Sequence, residues 1–354
     1  MNTSSRDQLL RRILLVRNDR LGDLLLTLPA IEAVRRNWPA AHVTALVSNY
    51  AGPILSRQSS IDELVFDVET QSGWQLGRRL RAMHFDAALV FNTNTRNCLA
   101  VWSARIRRRV CWAYKPAGWL AATDRVTLRR SHPPVHEAEF AMAFARALGG
   151  EAELAAAAPR LDIDPATRQA MAQRIARELG TTGPLFGVHP GSKHSAYNWS
   201  ASRYAQLVCH LAHFGRVMVT GSPQEQPILD LIRRRLNGPV AKRVGFYSDL
   251  ALRDLAAAIV QQTVLVVSST GPMHLAGIVG TPVVALFSPH PAHAPAKWAP
   301  LGSNHTLLVA PLEPHEDVRV PAERGTDVMA RIRVEDVVRA ALNYVPRSMV
   351  APAA

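Results

Sequence analysis

Cysteine, aromatic residues and long apolar runs are all scarce in this chain, and each scarcity closes off a class of protein. The three cysteines, Cys98, Cys111 and Cys209, are odd in number, far apart and never spaced as CxxC. Neither a disulfide framework nor a thiolate zinc site is expected, and they read as small buried apolar residues. No apolar stretch approaches the ~20 residues a membrane-spanning helix needs. The opening "MNTSSRDQLLRRILLVRND" has only Ile13–Val16 before charge returns, so no secretory signal is read and a cytoplasmic location is expected. Gly280 and Pro282 break "MHLAGIVGTPVVALFS" into a helix followed by a strand. No GxGxxG follows any apolar run, which argues against a dinucleotide cofactor. Carboxylates are also short, 28 against 41 lysines and arginines for a net charge of +13. Clusters such as "RIRRR" (105–109) and "IRRRL" (232–236) suit an anionic partner, whether nucleic acid, lipid or substrate, or solvated helix ends.

What the chain has is a core: 48% of its 354 residues are hydrophobic, enough for about two domains. Short apolar runs alternate with helical patterns, as in parallel sheets covered on both faces. Strands are expected at 13–16, 42–47, 63–68, 86–91 and 108–112, with helices at 22–37, 49–58, 74–83 and 95–104. The plan repeats with strands at 184–190, 216–222, 240–245, 263–269 and 282–288 and helices at 202–213, 225–236, 251–260 and 272–279. The fold class is therefore α/β, two Rossmann-like doubly wound domains facing across a cleft, one over 1–160 and one over 161–332. A last helical pattern at 333–346 has no strand after it and is expected to pack back across the first domain. Open parallel sheets bind ligands at the carboxyl ends of their strands.

Three strand-to-helix joints carry chemistry. In "ILLVRNDRLGDLLLTLPAIEAVRR" the loop after the strand brings Arg17, Asn18, Asp19, Arg20, Gly22 and Asp23 together. Gly22 permits close backbone approach. Asp23, in the first turn of the helix, has two readings: a carboxylate complementing the helix dipole and its free N–H groups, or a catalytic acid or base. Asp19, flanked by Arg17 and Arg20, reads as a paired loop acid. "GVHPGSKHSAYNWSASRYAQLV" offers an anion the backbone of Gly191 and Ser192 and the Lys193 cation. "VVSSTGPMHLAG" repeats the design, with Ser269, Thr270 and Gly271 in the turn and Pro272 in the first helical turn, where its missing N–H costs nothing. Two such joints suit a nucleotide diphosphate, because charge develops on its leaving phosphate.

In order and spacing, "RNDRLGDLLLTLPAIEAVRRNWP", "HEAEFAMAFARALG", "GVHPGSKHSAYNWSASRYAQL", "VMVTGSPQE" and "SSTGPMHLAGIVGTPVVALFSP" resemble glycosyltransferase family 9, the ADP-heptose:lipopolysaccharide heptosyltransferase family. The resemblance implies a GT-B fold with acceptor bound by the N-terminal domain and ADP-sugar by the C-terminal one, and with neither metal nor cofactor. It makes Asp23 the general base and places acceptor contacts at Arg17, Asn18, Arg20 and Gly22. Donor contacts fall at Gly191, Ser192, Lys193, Gly221, Ser222, Ser269, Thr270, Gly271, Pro272, Met273 and His274. Two positions depart from the family pattern: Tyr197 stands where a lysine is common, and Ser269 where an aspartate is common.

The implied activity is inverting transfer of heptose from ADP-heptose to an anionic, lipid-linked inner-core saccharide, met at the inner face of the plasma membrane. The alternatives are a related transferase with another nucleotide sugar or a protein or capsule acceptor, a nucleotide-sugar 2-epimerase, and a nucleic-acid-binding protein. The last has no recognition motif, and no nucleic-acid partner is expected. "LDIDP" (161–165) imitates a metal-binding DxD but reads as a helix cap at Asp164. "HPPVHEAE" (132–139) imitates a metal cluster, yet its prolines disturb the spacing and it reads as a helix entry.

Overall fold

The computed structural model describes residues 10–130, 134–154, 160–192, 197–312 and 328–346. The chain divides into two compact units between Asp162 and Ile163. In the first, strands β1 (Arg12–Arg17), β2 (His42–Val47), β3 (Glu63–Phe66), β4 (Ala87–Val90), β5 (Arg108–Trp112) and β6 (Asp124–Val126) form one parallel sheet. Its helices are α1 (Leu21–Asn37), α2 (Gly73–Arg81), α3 (Thr95–Ser103), α4 (Pro116–Ala121) and α5 (Glu137–Ala147). Strand order is β3-β2-β1-β4-β5-β6, the doubly wound nucleotide-binding order.

The second unit repeats it. Its strands are β7 (Leu185–His189), β8 (Arg216–Thr220), β9 (Val244–Tyr247), β10 (Val264–Ser268), β11 (Val283–Phe287) and β12 (His305–Val309), in the order β12-β11-β10-β7-β8-β9 and again all parallel. Its helices are α6 (Pro165–Leu179), α7 (Ala201–Phe214), α8 (Gln226–Arg233), α9 (Gly238–Ala241), α10 (Leu252–Val260), α11 (Gly271–Val279), α12 (Pro295–Trp298) and α13 (Val334–Leu342). No described helix is long and apolar enough to cross a membrane.

Helices cover both faces of each sheet, so the central strands are apolar without alternation. Ile13–Val16 in β1 and Val264–Val267 in β10 are essentially inaccessible. In each unit the winding reverses between two neighbouring central strands, β1 and β4 in one and β7 and β10 in the other. The connections leaving those strands diverge there and open a crevice at the carboxyl edge.

Four local expectations are corrected. Residues 49–58 hold a short 3-10 turn, Gly52–Leu55, because Pro53 starts a helix that the strand β3 soon ends. Residues 240–245 begin as α9, entered through Gly238 at φ +60° and Pro239, before β9 starts. Strands β6 and β12 were not expected. Finally, α13 spends its apolar face on the second unit. Val334, Val337, Val338 and Ala341 lie in the second unit's core with Leu207, Leu211, Val266 and Val284, where an apolar stripe finds the bare faces of α7, β10 and β11. Val337→Ala is therefore expected to destabilise the second unit by about 1–3 kcal/mol, read as a lower urea midpoint; an unchanged midpoint would remove α13 from that core.

Candidate active site

The loop after β1 is organised by one guanidinium. Arg17 ends the strand, is only 8% exposed, and reaches two carboxylates: Nη2 donates to Asp23 Oδ1 at 2.8 Å, and Nε lies 3.3 Å from Asp19 Oδ1. Asp23 is the third residue of α1, whose N-cap is Arg20 without a side-chain cap bond. The capping reading therefore gives way: Asp23's carboxylate turns to Arg17. Oδ1 is the oxygen turned to Arg17, and Oδ2 has no hydrogen bond among the described residues. Gly22 adjoins it in the helix, and Arg20 is exposed at the helix entry.

Asn18 is a strut. Its amide donates to Asp67 Oδ2 (2.6 Å) and Asn97 Oδ1 (3.1 Å), while its oxygen accepts from Asn92 and Asn97. Buried Asp67 is clamped by Arg96 through two bonds of 2.8 and 2.9 Å. The connections leaving β1, β3 and β4 are thereby tied together, which fixes the position of Asp23. Sequence reasoning missed this network, since single Asn and Asp residues in three separate loops carry no periodic signal.

Burial pushes the Asp19 carboxyl up to about 6, Arg17 opposes the rise, and the nearby carboxylates of Asp23 and Glu137 add to it. Glu137, at the start of α5, is buried and paired with Arg130, which also lies over the rings of Phe140 (4.6 Å) and Trp112 (5.4 Å). Of the imitation metal cluster, His132 lies outside the described residues. His136 caps α5 by accepting from the Ala138 N–H, and Glu139 pairs with Arg146.

In the second unit, the two expected joints and the connection after β8 leave the carboxyl edge. The connection after β7 carries Pro190, Gly191 and Ser192; Lys193 lies outside the described residues. Gly191 is buried against the Glu225 carboxylate, and a Cβ there would collide with it. Glu225 closes the next connection, its Oε2 accepting from the N–H and Oγ of Ser222, both at 2.8 Å. Gly221, pressed on Leu229, donates to Tyr247 O. Glu225 was not expected as a site residue, although the Ser222–Glu225 capping-box spacing signals it.

After β10, half-buried Ser269 leads to Thr270, the N-cap of α11, which has no side-chain cap bond. Gly271 and Pro272 form the first turn, and Met273 and His274 are buried beneath it. The positive end of this helix is thus presented at the edge beside Gly191 and Ser192. Tyr197 has His293 edge-on at 5.5 Å and His290 at 6.2 Å. Burial lowers the His293 pKa, with His290 and the Lys297 cation adding to it. The DxD imitation is a cap: Asp164 accepts from Thr167 N and Oγ1.

Asp19 gives a pH test. Unfolded, it ionises near 3.9; folded, it keeps its proton to about 6. The folded state binds more protons across that window, so stability falls as pH rises through it. Asp19→Asn is expected to gain on the wild type by on the order of 1–2 kcal/mol between about pH 4 and pH 7. A stability difference that is flat across the window would contradict the shift.

The sequence profile of glycosyltransferase family 9 (heptosyltransferase) matches residues 73–324. A candidate glycosyltransferase of Haemophilus influenzae is 27% identical over 305 residues, 82% of this chain and 86% of that protein. Lipooligosaccharide heptosyltransferase 2 of the same species is 22% identical over 310 residues, 84% and 88%. Among solved structures, that of Escherichia coli ADP-heptose lipopolysaccharide heptosyltransferase II matches with a TM-score of 0.78 at 20% identity, covering 96% of this chain and 98% of that one. That likeness identifies the fold as GT-B. With the profile spanning more than half of its length, this chain belongs to glycosyltransferase family 9, the heptosyltransferase family, and is a sugar-transferring enzyme.

Proposed function

We propose that the enzyme moves a heptose from ADP-heptose to a hydroxyl of a lipopolysaccharide inner-core saccharide, with inversion, at the cytoplasmic face of the membrane. The observation that carries this reading is Asp23: a carboxylate at the carboxyl edge, aimed by Arg17 through one oxygen, with the other open to an acceptor hydroxyl. The heptosyltransferase relatives and the ADP-heptose named for the solved E. coli structure support the donor class.

In this reading the acceptor O–H gives its proton to Asp23 Oδ2 while its oxygen attacks the anomeric carbon from the face opposite the diphosphate. The bond from that carbon to the phosphate oxygen breaks, and ADP leaves with the electron pair. The negative charge growing on the leaving phosphate meets the N-terminus of α11 and the backbone of Gly191 and Ser192, fixed dipoles that need no reorganisation, with Lys193 as the cation of that loop. Ser222 serves the donor side through Glu225, whose position it sets. Asp23 acts through placement at hydrogen-bond distance. Arg17 and Asn18 serve the acceptor side by fixing that placement, while exposed Arg20 meets the anionic saccharide.

A second reading keeps the chemistry and changes the sugar. Ser269 and Tyr197 stand where the family pattern has an acid and a lysine, and both flank the donor connections, so another nucleotide sugar remains the alternative substrate.

A calorimetric panel of ADP, UDP, GDP, CMP and ADP-heptose separates the two. Selective ADP and ADP-heptose binding is expected; preference for UDP or GDP would move the enzyme to another sugar. Asp23→Ala is expected to keep ADP affinity within about twofold and to lose transfer by about 10²-fold or more; turnover at the wild-type rate would sink Asp23 as the base. Gly191→Ala, by forcing Glu225 aside, is expected to weaken ADP binding about tenfold or more. Wild-type affinity in that variant would show that Gly191 and Glu225 do not shape the nucleotide site.

A further inference from the structure

The first unit carries a surface that the transfer chemistry does not use. β5 leaves its sheet at Trp112, and Ala113, Tyr114 and Lys115 lead into α4. Gly118 presses that short helix onto the strand end: a Cβ there would collide with the Trp112 carbonyl and lie 2.7 Å from Thr93 Cγ2. The next two side chains are consequently thrown outward. Trp119 is 53% exposed and Leu120 72%, the barest large apolar side chain among the described residues, with Tyr114 beside them at 51%.

Cations frame these apolar groups. The Arg125 guanidinium lies 4.9 Å from the centre of the Trp119 ring. Arg129 donates to the Tyr114 hydroxyl at 3.1 Å, and Lys115 lies 6.0 Å from the Trp112 ring. From Arg105 to Arg130 the chain has eight basic residues and one acid, Asp124; Arg108 is paired with Asp124 and Arg130 with Glu137, and Lys115, Arg125 and Arg129 are the cations beside the rings of Trp112, Trp119 and Tyr114.

We infer that this α4 patch docks the enzyme on an anionic lipid bilayer, with Leu120 and Trp119 entering the headgroup boundary and Lys115, Arg125 and Arg129 meeting lipid phosphates. Aromatic rings that hold a cation beside them suit the membrane interface, where one end is apolar and the other charged. An excess of cations with its lone acid neutralised suits a negative surface.

Position gives the patch its use, a step that rests on the lipid-linked acceptor of the proposed function. All six strands are parallel, so the connections leaving β5 and β6 share the edge from which Asp23 leaves β1. A packed path joins the two places: Trp112 meets Phe140 edge-on at 5.5 Å, Arg130 covers both rings and pairs with Glu137 at the start of α5, and α5 packs against α1, which carries Asp23. An acceptor anchored in the bilayer would reach Asp23 along this edge without leaving its lipid.

The test uses the whole protein and phosphatidylcholine vesicles with or without phosphatidylglycerol, at low and high salt. Binding is expected to require phosphatidylglycerol, to weaken with salt, and to fall about tenfold or more in the Trp119→Ser/Leu120→Ser double variant and in Arg125→Gln/Arg129→Gln. Leu231→Ala, a bare apolar position in the second unit, should bind as the wild type does. Wild-type binding by the double variant overturns the proposal, as does a patch-dependent dimer in sedimentation velocity, which would make a second copy the occupant. The double variant should keep transfer to a delipidated soluble acceptor and lose it on an acceptor embedded in vesicles. Patch-dependent vesicle binding without any transfer by the wild type would leave this surface standing and remove the proposed reaction. Transfer with patch-independent binding would do the reverse.

Discussion

Parallel strands confine the chemistry of this enzyme to one edge of each sheet. Every strand needs a crossover back to its starting side, and the crossover helices cover both faces. Only the connections at the carboxyl ends remain for ligands, and only where the winding reverses do two of them part. In the first unit that place lies between β1 and β4, and in the second between β7 and β10. Asp23 leaves β1, Gly191 and Ser192 leave β7, and Thr270 and Gly271 leave β10. The groups proposed for catalysis and donor binding therefore hang from fully buried strands, which gives these loop residues a fixed position.

At the β1 edge the controlling element is the shared guanidinium of Arg17. A partly buried ion pair contributes little net stability, because desolvation offsets the attraction. Its value lies in direction: a planar fork between Asp19 and Asp23 sets where the second carboxylate points. The raised Asp19 pKa comes first from burial, and the neighbouring carboxylates of Asp23 and Glu137 add to it. Asn18, Asn97, Asp67 and Arg96 brace the same loop from the other side. The site is held by polar groups whose bonds are made largely with one another, as a buried network requires.

How much of this is legible from the sequence follows from range. Apolar runs and helix signals are local, so the ten expected strands and most helices lie within a few residues of their places, and the strand-to-helix joints follow from them. β6 is three residues long, Asp124–Val126, and owes its existence to pairing with β5. β12 likewise extends an edge already built by β11, and pairing of that kind leaves no local mark. The same limit applies to the site. Asp23 and Gly191 announce themselves by sitting at joints with glycine, whereas Glu225 matters through Gly191 and Ser222, and Glu137 through Arg130, 7 positions away. The α13 misplacement has a related cause: an amphipathic helix states that it needs a partner without stating which.

Charge is where composition misleads most. A net +13 reads as one property, but two sets of arginines in the first unit differ in what they meet. Arg17, Arg96, Arg108 and Arg130 are inward-facing and bound to carboxylates; they orient acids and contribute little field outside. Arg125 and Arg129 are exposed, and the contacts that frame them are aromatic. Salt weakens the outward influence of the second group far more than the hold of the first. Rising ionic strength should accordingly weaken the proposed contact with a negatively charged surface well before it disturbs the geometry around Asp23. The two roles of the basic excess are separable by salt alone.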